Sequence, residues 1–139
     1  MNFFNHWQKK YKNKLIHKSY EKESAFLTRK LLINNEQTKI TIFRIINNEN
    51  LLNYFGLNNE YNIFNGCVIL AKKFKNTKNF KLPYCLIFCN YNWKVIQTAI
   101  IEPNKNINKI KDCEYIFIFA PNTAQELQIK IGDILYPKK

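Results

Sequence analysis

The side chains in this 139-residue chain with the chemistry to hold a metal or attack a substrate are few: Cys67, Cys85, Cys89, Cys113, His6 and His17. Zinc sites draw cysteines together across tight turns, with two to four residues between them. Cys85 and Cys89 are four apart within the apolar run Tyr84-Cys85-Leu86-Ile87-Phe88-Cys89, which reads as a strand. There they share a face about 13 Å apart, too far for one ion whose bonds to sulfur are about 2.3 Å. The cysteines are expected as reduced core residues, with no metal and no cofactor. Both histidines precede the region with strand patterning, so no Cys-His or Ser-His-Asp set assembles from the spacing. Asp112 and Glu114 lie two apart, about 7 Å along a strand, a spacing that acid/base pairs use. Nothing beside them would tune them, and an exposed strand end is expected. Three glycines in the whole chain cannot build a phosphate-binding loop. No catalytic residue is assigned, and the chain is read as leaning away from enzymes.

The candidate that remains is the 72–81 loop, where Lys72, Lys73, Lys75, Lys78 and Lys81 interleave with Phe74, Asn76, Thr77, Asn79 and Phe80. Ammonium and amide donors beside aromatic rings suit a carboxylate, a phosphate or single-stranded nucleic acid. Lys75, Asn76, Thr77, Lys78 and Lys81 are the expected ligand-binding residues. Thr77 and Asn76 would orient the ligand and the lysines would attract it. The plainer alternative is a solvated loop anchored by Phe74 and Phe80, with Thr77 bonding its own backbone.

The net charge of +12 invites a nucleic-acid reading, but the residue types weaken it. Twenty of the 22 basic residues are Lys, and only Arg29 and Arg44 are Arg. They stand beside 21 Asn and 19 Ile. Lys, Asn and Ile share A/T-rich codons, so genome composition alone can raise all three. Base readout leans on the planar guanidinium fork, which Lys lacks.

These residues need elements to hold them. Residues 1–27 are basic, and Phe3, Trp7, Tyr11 and Leu15 recur at helical spacing, giving an N-terminal basic helix or tail. Lys9 and Lys10 interrupt any signal-peptide core, and no apolar run approaches 18 residues. A cytoplasmic location is expected, with peripheral membrane contact by the N-terminal segment as an alternative. From Thr28 the pattern turns to strands. A hairpin turns at Asn34-Asn35-Glu36, buried strands cover 66–70 and 84–89, and a second hairpin turns at Asn90-Tyr91-Asn92. A strand over 115–119 and a final strand over 134–136 follow. Short helices are expected over 48–55 and over 123–128, the latter from the capping box Thr123-Ala124-Gln125-Glu126. The expected fold is mainly β: one domain over 28–136, a compact antiparallel sandwich or partly open barrel with two short helices.

The order of several motifs resembles the family catalogued as domain of unknown function 192. The match runs through Gly56-Leu57, Lys75-Asn76-Thr77, Leu82-Pro83-Tyr84-Cys85-Leu86-Ile87-Phe88, Trp93-Lys94-Val95-Ile96, Pro103, and the segment from Tyr115 to Asp133, within residues 28–136. The resemblance implies a compact, mostly β fold and no established activity. The chain departs from the pattern where the family carries aspartate (here Cys85), methionine (Phe80), glutamate (Ile118) and glycine (Asn122). Apolar residues at three of these four positions make it a divergent member and argue against a catalytic polar network.

The resulting expectation is a non-catalytic β module that binds a protein or a small anionic ligand through the 72–81 loop. The alternatives are a nucleic-acid binder using that loop and the basic tail, and a small enzyme with a pocket the sequence does not reveal.

Overall fold

Two adjacent asparagines make the first corner of the fold. In the computed structural model, which describes residues 26–45 and 66–139, Asn34 and Asn35 adopt φ of 51° and 69°. Two consecutive left-handed residues suit a type I′ turn, whose twist matches that of the strands it joins. Asparagine visits that conformation more readily than most residues. The turn links β1 (Phe26–Ile33) to β2 (Glu36–Ile45) in antiparallel register, from Phe26 opposite Ile45 to Ile33 opposite Glu36.

After Gly66 come β3 (Cys67–Leu70) and a 3-10 turn (Ala71–Lys73), then β4 (Tyr84–Cys89) and β5 (Val95–Ile101). They are followed by β6 (Tyr115–Phe119), the short helix α1 (Pro121–Leu127) and β7 (Leu135–Lys138). The seven strands form one sheet in the order β5-β4-β6-β3-β2-β1-β7. Every pairing is antiparallel except β2 with β3, where Phe43 stands opposite Cys67 and Arg44 opposite Val68 in parallel.

The mainly β expectation therefore holds, as a single mixed sheet rather than a pair of sheets. The sheet curls until its two edges touch at one end. Lys94 and Ile134 form an isolated antiparallel bridge, with Val95 N donating to Asp133 O (2.8 Å) and Leu135 N to Trp93 O (2.9 Å). The contact does not extend into a ladder, so the sheet is not closed into a barrel.

Both faces of the sheet are covered, which explains why β4 reads as an unbroken apolar run and is buried at all six positions. One face packs Phe43, Cys67, Leu86, Phe88 and Ile118 with Phe74 and Phe80 from the 72–81 loop. The other packs Leu31, Ile42, Val68, Phe117 and Leu135 with Ala124 of α1. Gly66, which leads into β3, lies against the Phe119 ring. A Cβ at that position would come within 2.5 Å of the ring and 3.0 Å of the Ile118 carbonyl oxygen.

Two elements have other bounds than the sequence pattern predicts. The helix expected from Thr123 starts at Pro121. Ala120 is its N-cap and has no side-chain atom to accept a hydrogen bond, so Thr123 lies inside the first turn and the capping box is not used. Proline sets the start because its fixed φ suits the first helical position and its missing N–H would be unpaired there anyway. The final strand continues through Pro137, opposite Leu31. β7 is an outer strand of the sheet, where proline is tolerated. The helix expected over 48–55 falls outside the described residues, as does nearly all of the N-terminal helix or tail expected over 1–27.

Candidate ligand-binding site

Thr77 is the centre of the 72–81 loop, and its side chain is fully buried. Its hydroxyl donates to the Glu102 carbonyl oxygen (2.7 Å) and accepts from the Lys105 amide (2.9 Å). Its own backbone N–H donates to Lys105 O (2.7 Å), and its carbonyl accepts from Asn104 N (2.9 Å). Ile107 N donates to Lys75 O (2.8 Å), and Asn76 bridges Asn106. The loop is thus stitched to the 102–107 segment, and Thr77 holds it from within. Its hydroxyl donor and acceptor are both spent on backbone 25 and 28 residues away.

Phe74 and Phe80 are buried and stack on each other, with centroids 5.7 Å apart, and Phe80 meets Tyr84 edge-on at 5.2 Å. These rings anchor the loop in the core. Asn76 uses its side-chain oxygen to accept from Lys78 N (3.1 Å), leaving its amide nitrogen for other partners. Lys72, Lys73, Lys75, Lys78 and Lys81 are all exposed. The fold therefore separates the predicted site residues into a buried organiser, Thr77, a half-buried Asn76, and an exposed set, Lys75, Lys78 and Lys81.

A cavity of about 210 Å³ opens beside the loop. Phe74, Phe88 and Ile116 form its apolar floor, and Lys72, Lys75 and Lys109 reach its lining. Lys109 comes from the segment after β5 and carries no sequence signal of its own; no spacing rule connects it to Lys72 and Lys75, more than thirty residues earlier. Lys72, Lys75 and Lys109 have no ion pair among the described residues.

The cysteines are poor nucleophiles as placed. Burial pushes the Cys67 and Cys85 thiols up from their ordinary value. Burial, and then the neighbouring Cys113, push Cys89 up to about 12. Burial raises Cys113 as well, against a lowering hydrogen bond from the Cys89 backbone. Thiolate is the reactive form, so raised values keep these groups inert at neutral pH. All four are free thiols. Asp112 and Glu114 are exposed at the entry to β6. Among the described residues, no three His, Cys, Asp or Glu side chains gather as a metal site would require. Among them, too, no helix is long and apolar enough to cross a membrane.

No family model and no curated protein matches the sequence. Two solved structures share the fold. One is a protein of Sinorhizobium meliloti 1021, provisionally assigned as a transcription regulator. It is 13% identical, the match covers 83% of this chain and 97% of that one, and the TM-score is 0.57. The other, a protein of unknown function from Novosphingobium aromaticivorans DSM 12444, is 12% identical over 80% of this chain and 84% of that one, with a TM-score of 0.56. At these identities the likeness is one of fold.

Proposed function

We propose that the protein is a non-catalytic β module that binds a small organic acid or phosphate at the 72–81 loop. The observation that carries this reading is the cavity, where three lysines without partners among the described residues line an apolar floor. Its volume, about 210 Å³, falls below the range of roughly 300–1,000 Å³ that holds drug-sized ligands, so the ligand is small. Lys72, Lys75 and Lys109 supply attraction, the Asn76 amide donates, and Lys78 and Lys81 widen the positive field. Thr77 keeps the loop backbone in place. The order of motifs further supports reading the chain as a divergent member of the domain of unknown function 192 family. Four free thiols suit a reducing compartment such as the cytoplasm.

The test is a two-dimensional amide NMR titration with benzoate and with inorganic phosphate. Saturable shifts at Lys75, Asn76 and Lys109 are expected with at least one of them. A Lys72→Glu/Lys75→Glu variant should lose those shifts while its stability stays within about 0.5 kcal/mol, the usual range for exposed substitutions. Unchanged shifts in that variant reject the site.

A nucleic-acid reading draws on the net charge of +12 and on the provisional assignment of the Sinorhizobium meliloti neighbour. It requires affinity for a DNA duplex that falls log-linearly with salt, with a slope set by the number of phosphates neutralised. Weak binding with little salt dependence removes it.

A further inference from the structure

We infer that the protein carries a second anion site, formed around its only two arginines, that takes an amphipathic anion with a carboxylate or phosphate head and a planar apolar body. The site is a groove of about 890 Å³, within the size range of small-molecule pockets, and it shares no described lining residue with the cavity at the loop.

The strand register brings the arginines together. Arg29 of β1 stands opposite Ile42 of β2, and Arg44 is two residues further along the same strand. Alternation places both guanidinium-bearing positions on one face as diagonal neighbours, roughly 7 Å apart. Both line the groove. Arg44 has no partner among the described residues, and Arg29 donates only locally among them, to the carbonyl oxygen of Thr28 at 2.9 Å. Like charges on neighbouring positions of one face repel, and an anion bound by both removes the repulsion. Lys138 and Lys139 add to the positive lining, which includes no carboxylate side chain among the described residues. The guanidinium fork binds carboxylate and phosphate through two parallel bonds, a geometry the twenty lysines cannot supply.

The rest of the lining selects for an apolar body. Val68 and Leu70 are aliphatic, and an aromatic cluster flanks them. Trp93 lies flat on Tyr115, with centroids 3.6 Å apart and planes 7° from parallel, and meets Tyr136 edge-on at 5.5 Å. Tyr136 is 44% exposed, so its ring remains available. Trp93 is held there in a left-handed backbone conformation, φ 67°, that few bulky residues adopt. Cationic forks and an aromatic wall at one opening fit a planar acid better than an inorganic ion.

The test follows Trp93 fluorescence in the full chain with Trp7→Phe, using naphthalene-2-carboxylate as probe. Naphthalene-2-methanol and inorganic phosphate are the comparators. Saturable quenching by the carboxylate is expected, with both comparators weaker by about tenfold or more, since each lacks one half of the recognition. An Arg29→Gln/Arg44→Gln variant should lose about tenfold or more in affinity, and Arg29→Lys/Arg44→Lys, which keeps charge but loses the fork, should lose less. If the glutamine variant does not fold, the lysine variant decides. The Lys72→Glu/Lys75→Glu variant should bind the probe as before, which separates this site from the loop cavity. Absence of saturable quenching, equal affinity for the uncharged alcohol, or full affinity in the arginine variants overturns the proposal.

Discussion

Asn34 and Ile134 are joined by a reciprocal pair of hydrogen bonds across a hundred residues of chain. Asn34 N donates to Ile134 O (2.8 Å), and Ile134 N donates to the Asn34 side-chain oxygen (2.9 Å). The side-chain nitrogen of Asn34 then donates to Asp133 (3.1 Å), whose second oxygen caps Lys130 N (2.8 Å). One asparagine thus makes a left-handed turn and ties it to the corner that leads into β7.

Replacing Asn34 separates these two roles. Asn34→Gly keeps the backbone conformation and loses the side-chain bonds, for a cost of about 1 kcal/mol. Asn34→Ala loses the same bonds but keeps a Cβ in the left-handed region without the local polar side chain that lets asparagine tolerate it, adding about 1 kcal/mol more. Urea denaturation of the two variants should show alanine as the less stable. Equal midpoints would mean that the turn conformation carries no cost.

Thr77→Val removes a buried hydroxyl that serves Glu102 and Lys105 and leaves both backbone groups short of a partner. A loss of about 2–3 kcal/mol is expected, while Thr77→Ser retains most of the stability. Denaturation midpoints measure this. A tolerated valine would show that the backbone bonds to residues 102–107, with Phe74 and Phe80, hold the loop without the hydroxyl.

The contrast between Thr77 and β4 shows what the sequence disclosed. β4 was legible because burial on both faces leaves a continuous apolar run, a signal contained within six residues. The Asn34-Asn35 corner was legible because turn chemistry is local. Thr77 stands out by its place among lysines, yet its partners lie 25 and 28 residues away, and no local pattern encodes them. The same holds for Lys109 at the cavity and for Arg29 beside Arg44, which meet through register rather than spacing. The parallel pairing of β2 with β3 was not legible because strand periodicity is the same in both directions. Thr123 misled because its capping-box spacing is correct, while Pro121 had already set the start of the helix.

Trp93→Ala should be more destabilising than Trp93→Gly by about 1 kcal/mol, although alanine retains more side chain. Both lose the stack on Tyr115, and only glycine relaxes the φ of 67°. Thermal unfolding of the pair decides it. Alanine equal to or better than glycine would place the cost elsewhere.

Gly66→Ala drives a methyl group into the Phe119 ring, which is itself fully buried and has little room to move. Overpacking of this kind costs about 1–3 kcal/mol. Calorimetry should record a lower melting temperature. An unchanged one would show that β3 can shift without penalty.

Cys89 makes stability depend on alkaline pH. Its thiol titrates near the ordinary 9.0 when unfolded and near 12 when folded. Its stabilising contribution is therefore complete below about pH 9 and is lost as pH rises toward 12, because the unfolded chain releases the proton first. Comparing wild type with Cys89→Ala, the variant should show the shallower decline across that window. Parallel pH profiles would refute the burial argument.

The pairing of β7 with β1 also has a consequence for synthesis on the ribosome. β1 and β2 can zip together as soon as both have emerged, since a two-residue corner joins them. The outer edge of β1 finds its partner only when residues 135–138 are made, about a hundred residues later. Through that interval the nascent chain carries an open strand edge, the feature that invites pairing with another chain. The exposed Arg44, Thr28, Lys30 and Thr41 along this hairpin supply the solubility that such a wait requires.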